Sequence, residues 1–190
     1  MEPFKTVSSI ATPLDKVNVD TDQIVPKQFL KLVQRTGFGQ YLFYDWRYDR
    51  DGTPRNDFVL NEPEYKNSKI LLARDNFGCG SSREHAVWAL DDYGFKVIIS
   101  TSFADIFYNN CFKNGVLPIK VTAKELQRLF STKSEIEINL ENQTIKADEI
   151  GISFDIEPHW KKILIEGLDD IASTLEYEDE ISHYEKSYRF

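Results

Sequence analysis

Asn76-Phe77-Gly78-Cys79-Gly80-Ser81-Ser82-Arg83-Glu84-His85 is the stretch on which the fold turns. It follows a continuous apolar run, Ile70-Leu71-Leu72-Ala73, of the kind a strand buried on both faces requires. It precedes Ala86, Ala89, Leu90 and Tyr93, which recur at helical spacing. The segment is therefore a strand-to-helix turn. Gly78 and Gly80 allow its backbone to fold tightly and to approach a ligand closely. Ser81 and Glu84 have the spacing of a capping box at the start of the helix. A helix N-terminus with free N–H groups attracts anions. Arg83 adds a planar fork that matches a carboxylate. Residue chemistry thus points to a carboxylate-binding turn with Ser81 at its centre. A capping serine is ordinary in this chain, however: Ser102 with Asp105 and Thr122 with Glu125 have the same spacing.

Outward from this turn, further elements follow in order. Val7 to Ile10 reads as a first strand, and Asn18-Val19-Asp20-Thr21-Asp22-Gln23 as a polar turn. Gln28 to Val33 is a short amphipathic turn containing Leu30 and Leu32. Residues 41–62 form an insertion rich in aromatic residues, including Tyr41, Phe43, Tyr44, Trp46, Tyr48 and Phe58. It either packs on its own core or, with Arg47, Arg50 and Arg55, faces a partner. Val97-Ile98-Ile99 is a second buried strand. Phe103, Ile106, Phe107 and Cys111 make the apolar stripe of the helix that follows, and Asn110 falls on that stripe. A polar group there needs a partner or a wet cleft. Gly115 is the expected end of that helix.

Thr122 to Phe130 reads as a helix with Leu126, Leu129 and Phe130 inward. Alternation at Ile136, Ile138 and Leu140, and again from Ile150 to Ile156, predicts half-buried strands around a hairpin through 144–147. A helical segment over 158–176 and an acidic, tyrosine-bearing tail over 177–190 complete the chain. The tail either frays or docks on a partner.

The 190 residues suffice for one domain with a proper core. A formal net charge of −8 disfavours a nonspecific nucleic-acid binder. The start Met1-Glu2-Pro3-Phe4-Lys5 has no apolar run of signal-peptide length, so a cytoplasmic location is expected, with no membrane. Two cysteines, Cys79 and Cys111, make neither a disulfide framework nor a metal-ligand set. The glycine-rich turn lacks the Gly-Lys-Ser/Thr ending of a phosphate-binding loop and the third glycine of a dinucleotide fingerprint. Nor does a Gly-x-Ser-x-Gly elbow surround Ser81.

The string Asn76 to Ala86 closely resembles the serine loop of the aconitase superfamily. Asp20-Thr21-Asp22-Gln23-Ile24, with Pro26, and Ser102 to Gly115 are similar to two further motifs of that superfamily. Phe43 to Arg47 resembles the bacterial small subunits of its two-chain hydro-lyases.

The resemblance spans nearly the whole chain. It implies an α/β fold: a swivelling β/β/α domain over residues 1–190, with flanking helices and a helical C-terminal tail. The implied reaction is dehydration and rehydration of a hydroxy-dicarboxylic acid. Ser81 would be the catalytic base, acting as an alkoxide, and Ser82 and Arg83 would hold a substrate carboxylate. Asp22, His85 and Asn110 would stand behind them. Leu30 and Leu32 would meet the substrate side chain, favouring a branched alkyl group such as that of isopropylmalate over the third carboxylate of citrate. Such a contact discriminates by about 1–3 kcal/mol. Homoaconitase and methylmalate-type hydratases share this chemistry and remain alternatives, as does an anion- or nucleic-acid-binding module without catalysis. The superfamily works at a 4Fe-4S cluster, for which this chain offers no cysteine trio. A separate large subunit is therefore expected to bring it.

Overall fold

The computed structural model describes residues 1–31 and 36–188. In chain order its elements are β1 (Val7–Ser9), β2 (Ala11–Leu14), α1 (Thr21–Ile24), α2 (Tyr44–Arg47), β3 (Ile70–Ala73), α3 (Glu84–Tyr93), β4 (Val97–Ser100) and α4 (Asp105–Lys113). They continue as β5 (Leu117–Lys120), α5 (Ala123–Ser131), β6 (Ile136–Asn139), β7 (Thr144–Ala147), β8 (Ile150–Ser153), α6 (Pro158–Glu166), α7 (Asp170–Leu175) and α8 (Glu178–Ser187).

The strands form two four-stranded sheets, one ordered β2-β3-β4-β5 and the other β1-β6-β7-β8. The first is parallel throughout and the second antiparallel. Every residue of β3 and β4 is buried, as parallel strands covered on both faces must be. The outer strands β2 and β5 carry Pro13 and Pro118. A residue without an N–H is tolerated there because a ladder bond is missing on the open side anyway.

Side chains alternate between two cores. Leu71, Ala73 and Ile98 face the core shared with α3 and the aromatic insertion. Ile70, Leu72, Val97 and Ile99 face the core shared with the antiparallel sheet, α5 and α6. The result is a β/β/α stack with flanking helices, as expected.

Several expectations change in detail. The first strand breaks after Ser9, and the chain passes from one sheet to the other across Ile10. The Ile10 carbonyl is occupied there by the hydroxyls of Ser9 and Ser68, each at 2.8 Å. The aromatic insertion is largely an interior. Phe43 and Phe58 are buried, and Trp46 stacks on Phe43 at 5.5 Å. Arg47 is 9% exposed and donates to the carbonyls of Gly39 and Leu42 and to Asn61. Its guanidinium lies between the rings of Tyr48 and Tyr93. Thr122 and Glu125 do form the expected capping box on α5. In the tail, α8 is helical and carries no buried residue.

Candidate active site

The loop from Asn76 to Arg83 leaves the carboxyl end of β3 and enters α3. Its entry is fixed by the neighbouring β4–α4 connection. The Ser102 hydroxyl accepts the Asn76 N–H at 2.8 Å and donates to Asp75 at 2.6 Å. This employment displaces the expected Ser102 cap, and α4 begins instead after Ala104 with no side-chain cap. Gly78 has φ +76, and a Cβ there would lie 2.1 Å from the Phe107 ring. Only glycine fits.

The chain leading into α1 runs alongside the loop. Gly78 N–H donates to the Val19 carbonyl at 2.8 Å, and Thr21 N–H to the Cys79 carbonyl at 2.9 Å. Together these make a short parallel bridge between Asp20 and Cys79. The Thr21 hydroxyl then donates to the Ser81 carbonyl at 3.0 Å. The polar turn around Asp20 is itself a capping box with Gln23, so α1 is a rigid single turn.

These ties overturn the predicted Ser81–Glu84 capping box. With its carbonyl held by Thr21, Ser81 stays outside the helix, and Arg83 takes the N-cap position with extended backbone and no side-chain cap bond. The Glu84 carboxylate instead accepts from Asn114 at 2.9 Å, and Asn114 accepts from the Trp88 indole at 2.9 Å. That relay joins the start of α3 to the end of α4.

Ser81 and Ser82 are exposed. The N–H groups of Gly80, Ser81 and Ser82 meet no protein acceptor among the described residues. Arg83 pairs with Asp22 through one terminal nitrogen, and its other guanidinium nitrogens make no hydrogen bond among the described residues. A cleft of 240 Å³ opens beside the loop. Gly78, Gly80, Ser81 and Arg83 form one wall, and Ala104 to Phe107 the other. Free amides at a glycine-rich turn, with a guanidinium beside them, make an anion-binding concavity.

The structure therefore brings Ser81, Ser82, Arg83 and Asp22 together. His85 lies one residue into α3, between Phe38 at 5.3 Å and Trp88 at 4.6 Å. Asn110 is half-buried on α4, and its carbonyl accepts from Asn114. Leu30 packs against the insertion core and not into the cleft. Leu32 lies outside the described residues.

Sequence reasoning missed Thr21 and misplaced Ile106. Expected inward, Ile106 is 55% exposed and lines the cleft with Asp105. It occupies the first turn of α4, where the loop leaves that face of the helix uncovered. Both cysteines are poor ligands as they stand. Burial, followed by the charge of Asp20, pushes the Cys79 thiol up, and complete burial pushes Cys111 well above the usual range. Among the described residues no group of three or more His, Cys, Asp or Glu side chains is placed to hold a metal ion.

A family model described as the aconitase C-terminal domain matches residues 1–124. The 3-isopropylmalate dehydratase small subunit of Bacillus licheniformis is 56% identical over 192 residues, covering 98% of this chain and 96% of that protein. The protein of the same name from Bacillus subtilis is 55% identical over 190 residues, covering 97% and 96%. The solved 3-isopropylmalate dehydratase structure from Methanocaldococcus jannaschii superposes with a TM-score of 0.71 at 25% identity, covering 95% of this chain and 99% of its own.

Proposed function

As a member of the 3-isopropylmalate dehydratase small-subunit family, built on the aconitase C-terminal domain, this chain is a hydro-lyase subunit of leucine biosynthesis, and we propose that Ser81 is its proton-abstracting group. The reaction interconverts 2-isopropylmalate and 3-isopropylmalate through 2-isopropylmaleate. The Ser81 alkoxide takes the proton from carbon and becomes a hydroxyl, the C–H electron pair forms the alkene, and the hydroxide lost from the neighbouring carbon would go to the Lewis acid that the large subunit's cluster would supply. Water then returns with the opposite regiochemistry.

The observation that carries this reading is the unpartnered Gly80, Ser81 and Ser82 amides beside Arg83. An alkoxide at neutral pH needs oriented donors that cost no reorganisation. The loop supplies them, and the cation adds to the field. The open guanidinium nitrogens of Arg83 donate to a substrate carboxylate, and Asp22 holds the guanidinium in place for it. Fixing the carboxylate aligns the C–H bond with Ser81. Leu30 packs on the insertion core rather than in this cleft, so its contact with the isopropyl group, and that of Leu32, is proposed only for the site completed by the large subunit.

The residues of this chain do not fit an iron–sulfur cluster, since it has two cysteines, both pushed toward the thiol form. We place the 4Fe-4S cluster on a large subunit, where it would supply the Lewis acid of the superfamily's chemistry. The chain then acts as a single domain in the cytoplasm, contributing half of a shared active site. Among the described residues no helix is long and apolar enough to cross a membrane.

Reconstitution tests the reading. The chain is mixed anaerobically with the cluster-bearing large subunit and supplied with 2-isopropylmalate. Turnover with transient 2-isopropylmaleate is expected only when both are present. Turnover by the chain alone would overturn the reading, and preferred turnover of homocitrate would overturn its substrate.

A further inference from the structure

We infer that Thr21 is a positioning residue for the proposed reaction, and that its hydroxyl turns the Ser82 N–H outward, beside the anion-binding cleft that Ser81 and Arg83 line. The inference rests on the Ser81 reading above. Thr21 is 1% exposed, yet it touches the reactive loop through two polar atoms. Its N–H donates to the Cys79 carbonyl at 2.9 Å, and its hydroxyl to the Ser81 carbonyl at 3.0 Å. The loop lies directly on it: a Cβ at Gly80 would sit 3.6 Å from the Thr21 hydroxyl.

The consequence follows from peptide geometry. A trans peptide is planar, and its C=O and N–H point in opposite directions. The Ser81 carbonyl is drawn inward by the Thr21 hydroxyl and also accepts the Arg83 N–H at 2.8 Å. The Ser82 N–H must therefore point outward, away from Thr21. It has no protein acceptor among the described residues, and Ser82 is exposed. A donor held rigidly and left unpaired is the arrangement that stabilises developing negative charge without reorganisation.

No other side chain of α1 or its N-cap is bonded to the Ser81–Ser82 backbone among the described residues. Asp20 is occupied by its capping box with Gln23, and Asp22 by Arg83. Thr21 is thus the single side chain of α1 that bonds the backbone next to the reactive oxygen. Arg83 N–H alone leaves the 81–82 peptide pinned at one point, free to rock about it.

Thr21→Val keeps the shape and removes the hydroxyl. In the complex with the large subunit it is expected to lower kcat about tenfold to a hundredfold, the range for a misaimed catalytic donor, with KM changed by less than about threefold. Thr21→Ser restores the hydroxyl and is expected to return kcat to within about threefold of wild type. Thr21→Ala and Thr21→Ser differ by the hydroxyl alone, so their ratio decides the question should Val fail to assemble. Wild-type kcat in Val, or equal kcat in Ala and Ser, overturns the inference. Ser81→Ala run in parallel separates the two failures: full activity there sinks the base assignment, whereas an inactive Ser81→Ala beside a fully active Thr21→Val sinks only the role of Thr21.

Discussion

Gly78→Ala should unsettle the reactive loop more than any neighbouring exchange. The new methyl carbon would stand 2.1, 2.5 and 2.6 Å from three carbons of the Phe107 ring. That ring is 2% exposed and is held edge-on by Phe77 at 5.4 Å, so it can give way only toward the cleft it lines, at the cost of that packing. Overpacking of this kind costs about 1–3 kcal/mol. The backbone adds to it, because φ is +76, and a side chain in the left-handed region costs about 1–2 kcal/mol. The sum is about 2–5 kcal/mol, which for a chain of this size lowers Tm by about 4–20 °C. Gly80→Ala is the internal control. Its φ of +89 carries the same backbone cost, but its nearest contact is 3.4 Å, so the clash is absent. Thermal unfolding followed by circular dichroism should place Gly80→Ala about 2–8 °C below wild type, from the strain alone, and Gly78→Ala lower still. Phe107→Ala added to Gly78→Ala should cost less than the sum of the single exchanges, since the clash is then gone. Equal Tm values for the two glycine variants would refute the steric reasoning.

Two further expectations concern stability. Thr12 is fully buried on β2, and its hydroxyl has no partner among the described residues. Replacing an unsatisfied buried hydroxyl with its apolar isostere recovers part of a desolvation cost of about 1–3 kcal/mol. Thr12→Val should therefore raise Tm, and a fall would contradict this. Glu125 is held below the usual carboxylate range by hydrogen bonds from the Thr122 hydroxyl and N–H. A depressed carboxylate adds stability above its unfolded pKa of about 4.3, and that stability is lost as pH falls through the lower folded value. Glu125→Gln should thus flatten the acid limb of the stability profile in that interval. Parallel profiles for variant and wild type would count against it.

What the sequence made legible was whatever depends on near neighbours. Ile70–Ala73 and Val97–Ile99 announce buried parallel strands because both faces must be apolar. The hairpins of the second sheet are visible in the alternation from Ile136 to Ile152. Thr122 and Glu125 cap a helix because, among the described residues, no distant group competes for them.

The failures share one cause, a partner far away in sequence. Ser81 has the local spacing of a cap, but Thr21, 60 residues earlier, holds its carbonyl outside the helix. The break between β1 and β2 is invisible because Ser68, 58 residues on, helps fix the Ile10 carbonyl. Ile106 obeys helical periodicity, yet its face of α4 opens on a cleft shaped by another loop. At the site, residue chemistry pointed to an anion-binding turn. The assignment of Ser81 as a base came from resemblance, since no local pattern separates a reactive serine from a capping one. The pairing of Arg83 with Asp22 is likewise tertiary, and only the fold reveals it.

The most direct measurement is the turnover of Ser81→Ala reconstituted with the cluster-bearing large subunit, with assembly checked by size-exclusion chromatography. The exposed Ser81 side chain makes no hydrogen bond among the described residues, so its loss should leave fold and assembly unchanged. Removing a base should lower kcat by about a hundredfold to ten-thousandfold. An assembled variant retaining wild-type kcat would show that the proton goes elsewhere.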